Sequence, residues 1–355
     1  MSTFVQLHLL TSYPPACLNR DDLNRPKTAV MGGVQRLRVS SQSLKRAWRM
    51  SDVFKEALSG HIGTRTKEMG LRVYERLKGA GVAEKLSKEW AQKIAIAGSF
   101  GKLKRASQDN PLRDLEIEQL AHFSPEEFAV IETLADTLAR ESRAPTDDEL
   151  KLLRDKHRAT DISLFGRMLA DKPLYNIEAA CEVAHTITVH KATVEDDYFT
   201  AVDDLNTRQE DVGSAHIGEQ GFAAGLFYLY ICINRDLLKE NLSDDEGLTQ
   251  QTLRALTEVA ATIAPGGKQK SFGSRAYASY ILAEKDSRQP RSLAVAFLKP
   301  VREGDMLHDA ISALASTRAN MDKVYYNDQA SPSRVLNALE GTGSLADILS
   351  FVAQP

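Results

Sequence analysis

The sequence predicts an α+β fold, and three of its features do so. Residues 4–11 and 34–40 alternate apolar with polar side chains, the two-residue period of a half-buried strand. Residues 224–234 (AGLFYLYICIN) form an apolar run rich in aromatic and β-branched side chains, as in a strand buried on both faces. Between them, residues 62–159 switch to Leu, Ala, Lys, Glu and Arg at helical spacing. Strands on both sides of a helical block predict a sheet with helices packed on it and one large helical excursion.

The elements follow in order. Residues 13–33 are polar and rich in Asn, Asp, Arg and Pro, and a loop of that length in a compact domain usually has a function. Ser40 and Ser41 are placed to cap a helix over 42–58. Within the helical block, spacing predicts helices over 64–77, 83–97, 125–140 and 146–157, with a basic loop over 98–111. Strand character returns at 181–190, and 194–221 is polar. A helix over 249–263 stops at Pro265-Gly266-Gly267. A strand over 277–284 and helices over 305–322 and 345–352 complete the chain. An RRM-like or ferredoxin-like sheet is the natural small member of this class.

The bulk numbers exclude several function classes. The 355 residues are 43% hydrophobic and 26% charged, with a net charge of -3. The chain is no polycation, so binding to nucleic acid needs basic residues gathered on one face. Cys17, Cys181 and Cys232 match neither a zinc pattern nor a disulfide framework, which fits a reducing cytoplasm. The first residues lack the features of a signal peptide, and the apolar run 223–233 is too short to span a bilayer. There is no glycine-rich nucleotide loop, no metal-spaced His/Cys cluster and no nucleophile elbow. The chain is therefore expected to be a cytoplasmic protein without a cofactor, and not a conventional metabolic enzyme.

Residues 36–49 (RLRVSSQSLKRAWR) carry the most chemistry. On a helix Gln42, Lys45, Arg46 and Arg49 share one face, while Leu44 and Trp48 point away toward a core. The free N–H groups of the helix start, with the hydroxyls of Ser40, Ser41 and Ser43, favour an anion. Arg36 and Arg38 add charge at the same end of the sheet. No acid lies between Arg36 and Met50, so the face is expected to be uncompensated. A solvated amphipathic helix is the plainer alternative.

Seven blocks together resemble the backbone subunit (CasC) family of type I-E CRISPR Cascade complexes. They are 17–22 (CLNRDD), 39–47 (VSSQSLKRA), Gly166-Arg167-Met168, Ala184-His185, 199–205 (FTAVDDL), 213–218 (GSAHIG) and 265–270 (PGGKQK). The resemblance implies a hand-shaped protein with a modified RRM-like palm (1–60 and 160–355), inserted helical fingers (61–159) and a thumb hairpin (194–221). It implies that copies stack along a guide RNA (crRNA) and support segmented pairing with target DNA, beside the large, small, CasD-type and CasE-type subunits.

The same resemblance assigns roles. Ser40, Gln42, Lys45, Arg46 and Arg49 would hold guide phosphates, joined by Arg20, Lys27 and Arg38, and by Lys268 and Lys270 after a Gly-Gly pair that lets backbone approach. Met168 and Phe199, and more weakly Tyr198, would wedge or stack against bases. Lys151, Arg154 and Arg158, with Lys156, are candidates for DNA, although Asp147, Asp148, Glu149 and Asp155 lie among them. Lys102, Lys104 and Arg105 form a second basic cluster. The rival reading is a metal-dependent RNA endonuclease using Asp21 and Asp22, as in related type III backbone proteins. Asp pairs in loops also make turns.

Overall fold

The computed structural model describes residues 2–97, 101–153, 157–169, 173–201 and 216–355. Its spine is a pair of long antiparallel strands, β1 (Phe4–Ala16) and β9 (His216–Asn234). The sheet continues through β2 (Thr28–Met31), β3 (Val34–Val39), β6 (Cys181–Val183), β7 (Thr186–Thr188), β8 (Glu195–Ala201), β10 (Tyr280–Asp286) and β11 (Ser333–Asn337). The order is β11-β10-β1-β9-β7-β3-β2, with β6 and β8 also on β9, and every pairing is antiparallel. The fold is α+β, as the sequence predicts.

Both faces of the sheet are covered. Val5, Leu7 and Leu9 point to one side, where α1 (Ser41–Met50), α2 (Asp52–Ala57), α7 (Arg235–Asn241), α8 (Glu246–Thr262) and α11 (Leu345–Ala353) close the main core. On the other side Leu10, Tyr228 and Leu282 pack with Phe297 and with Ala310 and Leu314 of α10 (Met306–Tyr326). The alternation in β1 predicts solvent at Gln6 and His8, yet both are buried. His8 is satisfied by the Tyr228 hydroxyl at 2.9 Å and Glu284 at 3.2 Å, and Glu284 is met by Arg318 at 2.8 Å. Burial of a polar face is tolerated because its groups are paired.

The helical excursion has a core of its own. β4 (Thr64–Thr66) and β5 (Ala121–Phe123) pair as a small second sheet, and α3 (Met69–Gly79), α4 (Glu84–Ala97) and α5 (Pro125–Glu141) pack around Trp90, Phe123, Ile131 and Leu138. The chain leaves at residues 61–63 and returns through α6 (Thr160–Phe165). The two crossings are tied by the Thr160 N–H to the His61 carbonyl at 2.7 Å.

Several elements differ from expectation. The helix over 42–58 is two helices, because Ser51 ends α1 and its hydroxyl caps α2. Residues 64–66 are strand, and α3 begins only at Met69. The helix over 146–157 does not form in its described part. Glu149 turns back to Arg143 at 2.7 Å and to the Thr146 N–H at 2.9 Å, and these bonds hold a turn. The loop over 13–33 contains the end of β1 and all of β2. The short α9 (Gln269–Phe272) follows the Gly-Gly pair. Among the described residues, no helix is long and apolar enough to cross a membrane.

Candidate nucleic-acid interface

The site is built on α1. The Ser40 hydroxyl accepts the Ser43 N–H at 3.4 Å, and the Ser40 N–H donates to Asn19 Oδ1 at 2.9 Å. The first loop is thereby stapled to the helix start. The Ser41 N–H and the Arg38 guanidinium both lie 3.3 Å from His185 Nδ1, which is placed as their shared acceptor. Leu44 and Trp48 are buried in the core, as their spacing requires, and that turns Gln42, Lys45, Arg46 and Arg49 outward together.

Two concavities flank this face. The larger, about 1020 Å³, runs between α1 and the β4–β5 sheet; its lining includes Gln42, Lys45, Arg46, Arg49, Lys55 and Arg65. Met50, Ile62, Leu120 and Phe165 give it an apolar floor, and no carboxylate is among its described lining residues. The smaller, about 540 Å³, is bordered by Arg20, Asn24, Ser43, Arg46 and Gly266-Gly267. Arg46 and Met50 border both, so one groove passes over α1. Cations over an apolar floor suit a chain that is anionic along its backbone and flat and apolar in its side groups.

The groove's electrostatics correct two expectations. Arg36 does not add to it: the side chain is fully buried and donates to the carbonyls of Thr188 at 3.0 Å and Phe297 at 2.8 Å. Arg49 is not uncompensated, since it lies 3.4 Å from Asp161, which belongs to the returning crossing. Burial lowers the Arg49 guanidinium from its ordinary value, and Asp161 opposes that shift. Lys45 sits 5.2 Å from the Phe165 ring centre. Lys55 and Arg65 are exposed groove cations that the sequence reading missed. Lys55 lies beyond the Ser51 break, and Arg65 lies in a segment expected to be helix.

The family model Cas_CT1975, described as CT1975-like protein, matches residues 5–348. This chain belongs to that family. Among solved structures, it is similar to a chain titled "CRISPR RNA-guided surveillance complex, pre-nicking", at 28% identity and a TM-score of 0.81, covering 99% of each chain. A second, titled "CRISPR RNA-guided surveillance complex", shares the fold at 23% identity and a TM-score of 0.74, again over 99% of each. Among curated proteins, none matches.

The remaining predicted residues of this CT1975-like chain divide. Arg20 reaches the groove, whereas Lys27 borders neither large concavity. Gly267 is needed where it is, because a Cβ there would come within 2.3 Å of the Leu18 carbonyl oxygen. Lys268 turns aside to Gln220 Oε1 on β9, and Lys270 stays exposed. Met168, Tyr198 and Phe199 are all exposed but border neither concavity. The Phe199 ring covers Gly218 across the β8–β9 hairpin, where a Cβ would meet it at 2.3 Å; residues 202–215 lie outside the described ones.

The DNA candidates are weakened as a basic surface. Lys151 pairs with Asp148 at 2.8 Å and Arg158 with Asp245 at 3.7 Å. Arg154 and Lys156 lie outside the described residues. Lys104 of the second cluster is paired with Glu116. Asp21 Oδ1 accepts the N–H groups of Leu23 and Arg25, both at 2.9 Å, so the carboxylate makes a turn. Among the described residues, no three acidic, His or Cys side chains converge as a metal site.

Proposed function

We propose that this protein is the guide-RNA-binding backbone subunit of a Cascade-type CRISPR surveillance complex, of type I-E, and that it performs no catalysis. The observation that carries the reading is the groove over α1, whose larger concavity is lined, among the described residues, by five cations and no carboxylate. Family membership and the likeness to a surveillance-complex chain support it. With both faces of the sheet covered, RNA runs over the palm helix and its loops and not over the sheet surface. Gln42, Lys45, Arg46 and Arg49 grip successive phosphates, and Arg20 and the Gly266-Gly267 backbone extend the path. Met168 and the thumb aromatics meet bases further along, and further copies of the chain continue the array. Residues 61–159, whose described part has a core of its own, act as the fingers.

The turn-making role of Asp21 favours this reading over a nuclease that uses Asp21 and Asp22. The test is to purify the tagged protein from its native operon and sequence the RNA that comes with it. Short uniform RNAs sharing a repeat-derived handle are expected. Heterogeneous cellular RNA, or none, contradicts the reading.

A further inference from the structure

Asp161 sits where the helical excursion leaves and rejoins the sheet domain, and its side chain is fully buried. Oδ1 accepts the N–H groups of Gly63 at 2.8 Å and Ile162 at 3.1 Å. Oδ2 faces His122 Nε2 at 2.9 Å and Arg49 Nη1 at 3.4 Å. The other nitrogen of His122, Nδ1, lies 3.3 Å from Arg65 Nε. The joint is tight: a Cβ on Gly63 would meet His122 Nε2 at 2.8 Å and the Phe123 carbonyl oxygen at 2.7 Å.

The bonding fixes the protons. A guanidinium only donates, so Nδ1 of His122 must accept from Arg65. The imidazole proton is then on Nε2 and is donated to Asp161. Burial lowers the His122 pKa and keeps the ring neutral, while Asp161 opposes the shift. One buried carboxylate therefore orients Arg49 directly and Arg65 through His122. Arg49 lies on α1 and Arg65 on β4, and both line the larger concavity.

We propose that Asp161 and His122 are positioning residues for nucleic-acid binding: the pair sets Arg49 and Arg65 on the two walls of the groove, so that one phosphate chain is held from both. This rests on the reading of the groove as the RNA path. The logic is that of a ligand oriented by the group behind it.

Asp161→Asn tests it. The Asn oxygen must take the two backbone N–H groups that Oδ1 takes now. Its NH2 then faces His122 and Arg49. The ring is forced to the Nδ1–H tautomer, which sets a donor against Arg65, and Arg49 also loses its acceptor. Binding of a single-stranded oligoribonucleotide to the full-length chain should weaken about tenfold. The log–log salt slope should fall by about 1.4, which is about 0.7 for each of two lost phosphate contacts. Adding Arg65→Ala to Asp161→Asn should change little more. A merely structural loss lowers the binding-competent fraction and leaves the slope alone. A wild-type slope in Asp161→Asn, or full additivity with Arg65→Ala, overturns the proposal.

Should Asp161→Asn not fold, the nitrogen shifts of His122 in the wild-type protein decide. Protonation at Nε2 supports the arrangement, and protonation at Nδ1 overturns it. A Lys45→Ala/Arg46→Ala variant separates the two claims. If that slope is unchanged, the RNA reading itself fails; if it falls while Asp161→Asn stays at wild type, only the positioning role fails.

Discussion

Trp48 sits four residues after Leu44, and together they decide which way α1 faces. Both rings and branches go into the core, so the cations between and beyond them cannot. That much is legible from spacing, and the outward set Gln42, Lys45, Arg46 and Arg49 is as the sequence predicts. What spacing cannot supply is a partner from far along the chain. Asp161, 112 residues from Arg49, pairs with one of the three cations, and the distant carbonyls of Thr188 and Phe297 hold Arg36 in the core. Trp48 offers a direct test of the core side of the helix. It is fully buried, and its Nε1 has no hydrogen-bond partner among the described residues. Trp48→Ala should cost about 3–5 kcal/mol of stability. Trp48→Phe keeps most of the ring and removes the unpaired N–H, so it should cost less than about 1.5 kcal/mol. Denaturant titration of both variants measures the difference, and equal losses would contradict this packing.

Elements were legible where one period ran long and unbroken. β1 and β9 and helices α4, α5, α8 and α10 lie close to their expected places. The failures are local competitions. A serine that caps the following turn split the helix over 42–58, and the ion pair from Arg143 to Glu149 folded 146–150 into a turn. The buried polar face of β1 was invisible because period alone does not say which face is wet. Its chemistry leads to a pH dependence. Burial works to raise the Glu284 carboxyl, but the hydrogen bond from His8 and the charges of Arg291 and Arg318 outweigh it and hold the group at about 2. Burial lowers His8, and it does the same for His122 and His157. Stability from Glu284 is complete above its ordinary 4.5 and goes only as pH falls through about 2. Stability from the neutral histidines is complete above their ordinary 6.5 and declines below it, because only the unfolded chain then takes up protons. The melting temperature should therefore drop between pH 7 and about 5, and His8→Gln should shrink that drop. A flat profile over that range contradicts the buried, neutral assignment.

At the scale of the whole molecule, the groove exists because two cores meet along α1. The sheet core fixes the helix from behind, and the separate core of residues 64–153 brings β4 and β5 opposite it. The α1 wall is legible in the sequence, and so is the separateness of the helical block, but the facing wall is not, since Arg65 reaches it only through a strand where spacing predicts helix. An overall charge of -3 is consistent with this arrangement, because a groove needs only locally gathered cations, and others, such as Arg72, Arg76 and Lys151, sit in ion pairs. The central claim is that this groove grips a ribose-phosphate chain. The most direct measurement is the salt dependence of binding to single-stranded RNA for the wild-type chain and for Lys45→Ala/Arg46→Ala. The account predicts weaker binding across all sequences and a log–log slope reduced by about 1.4, about 0.7 for each lost contact. An unchanged slope would contradict it.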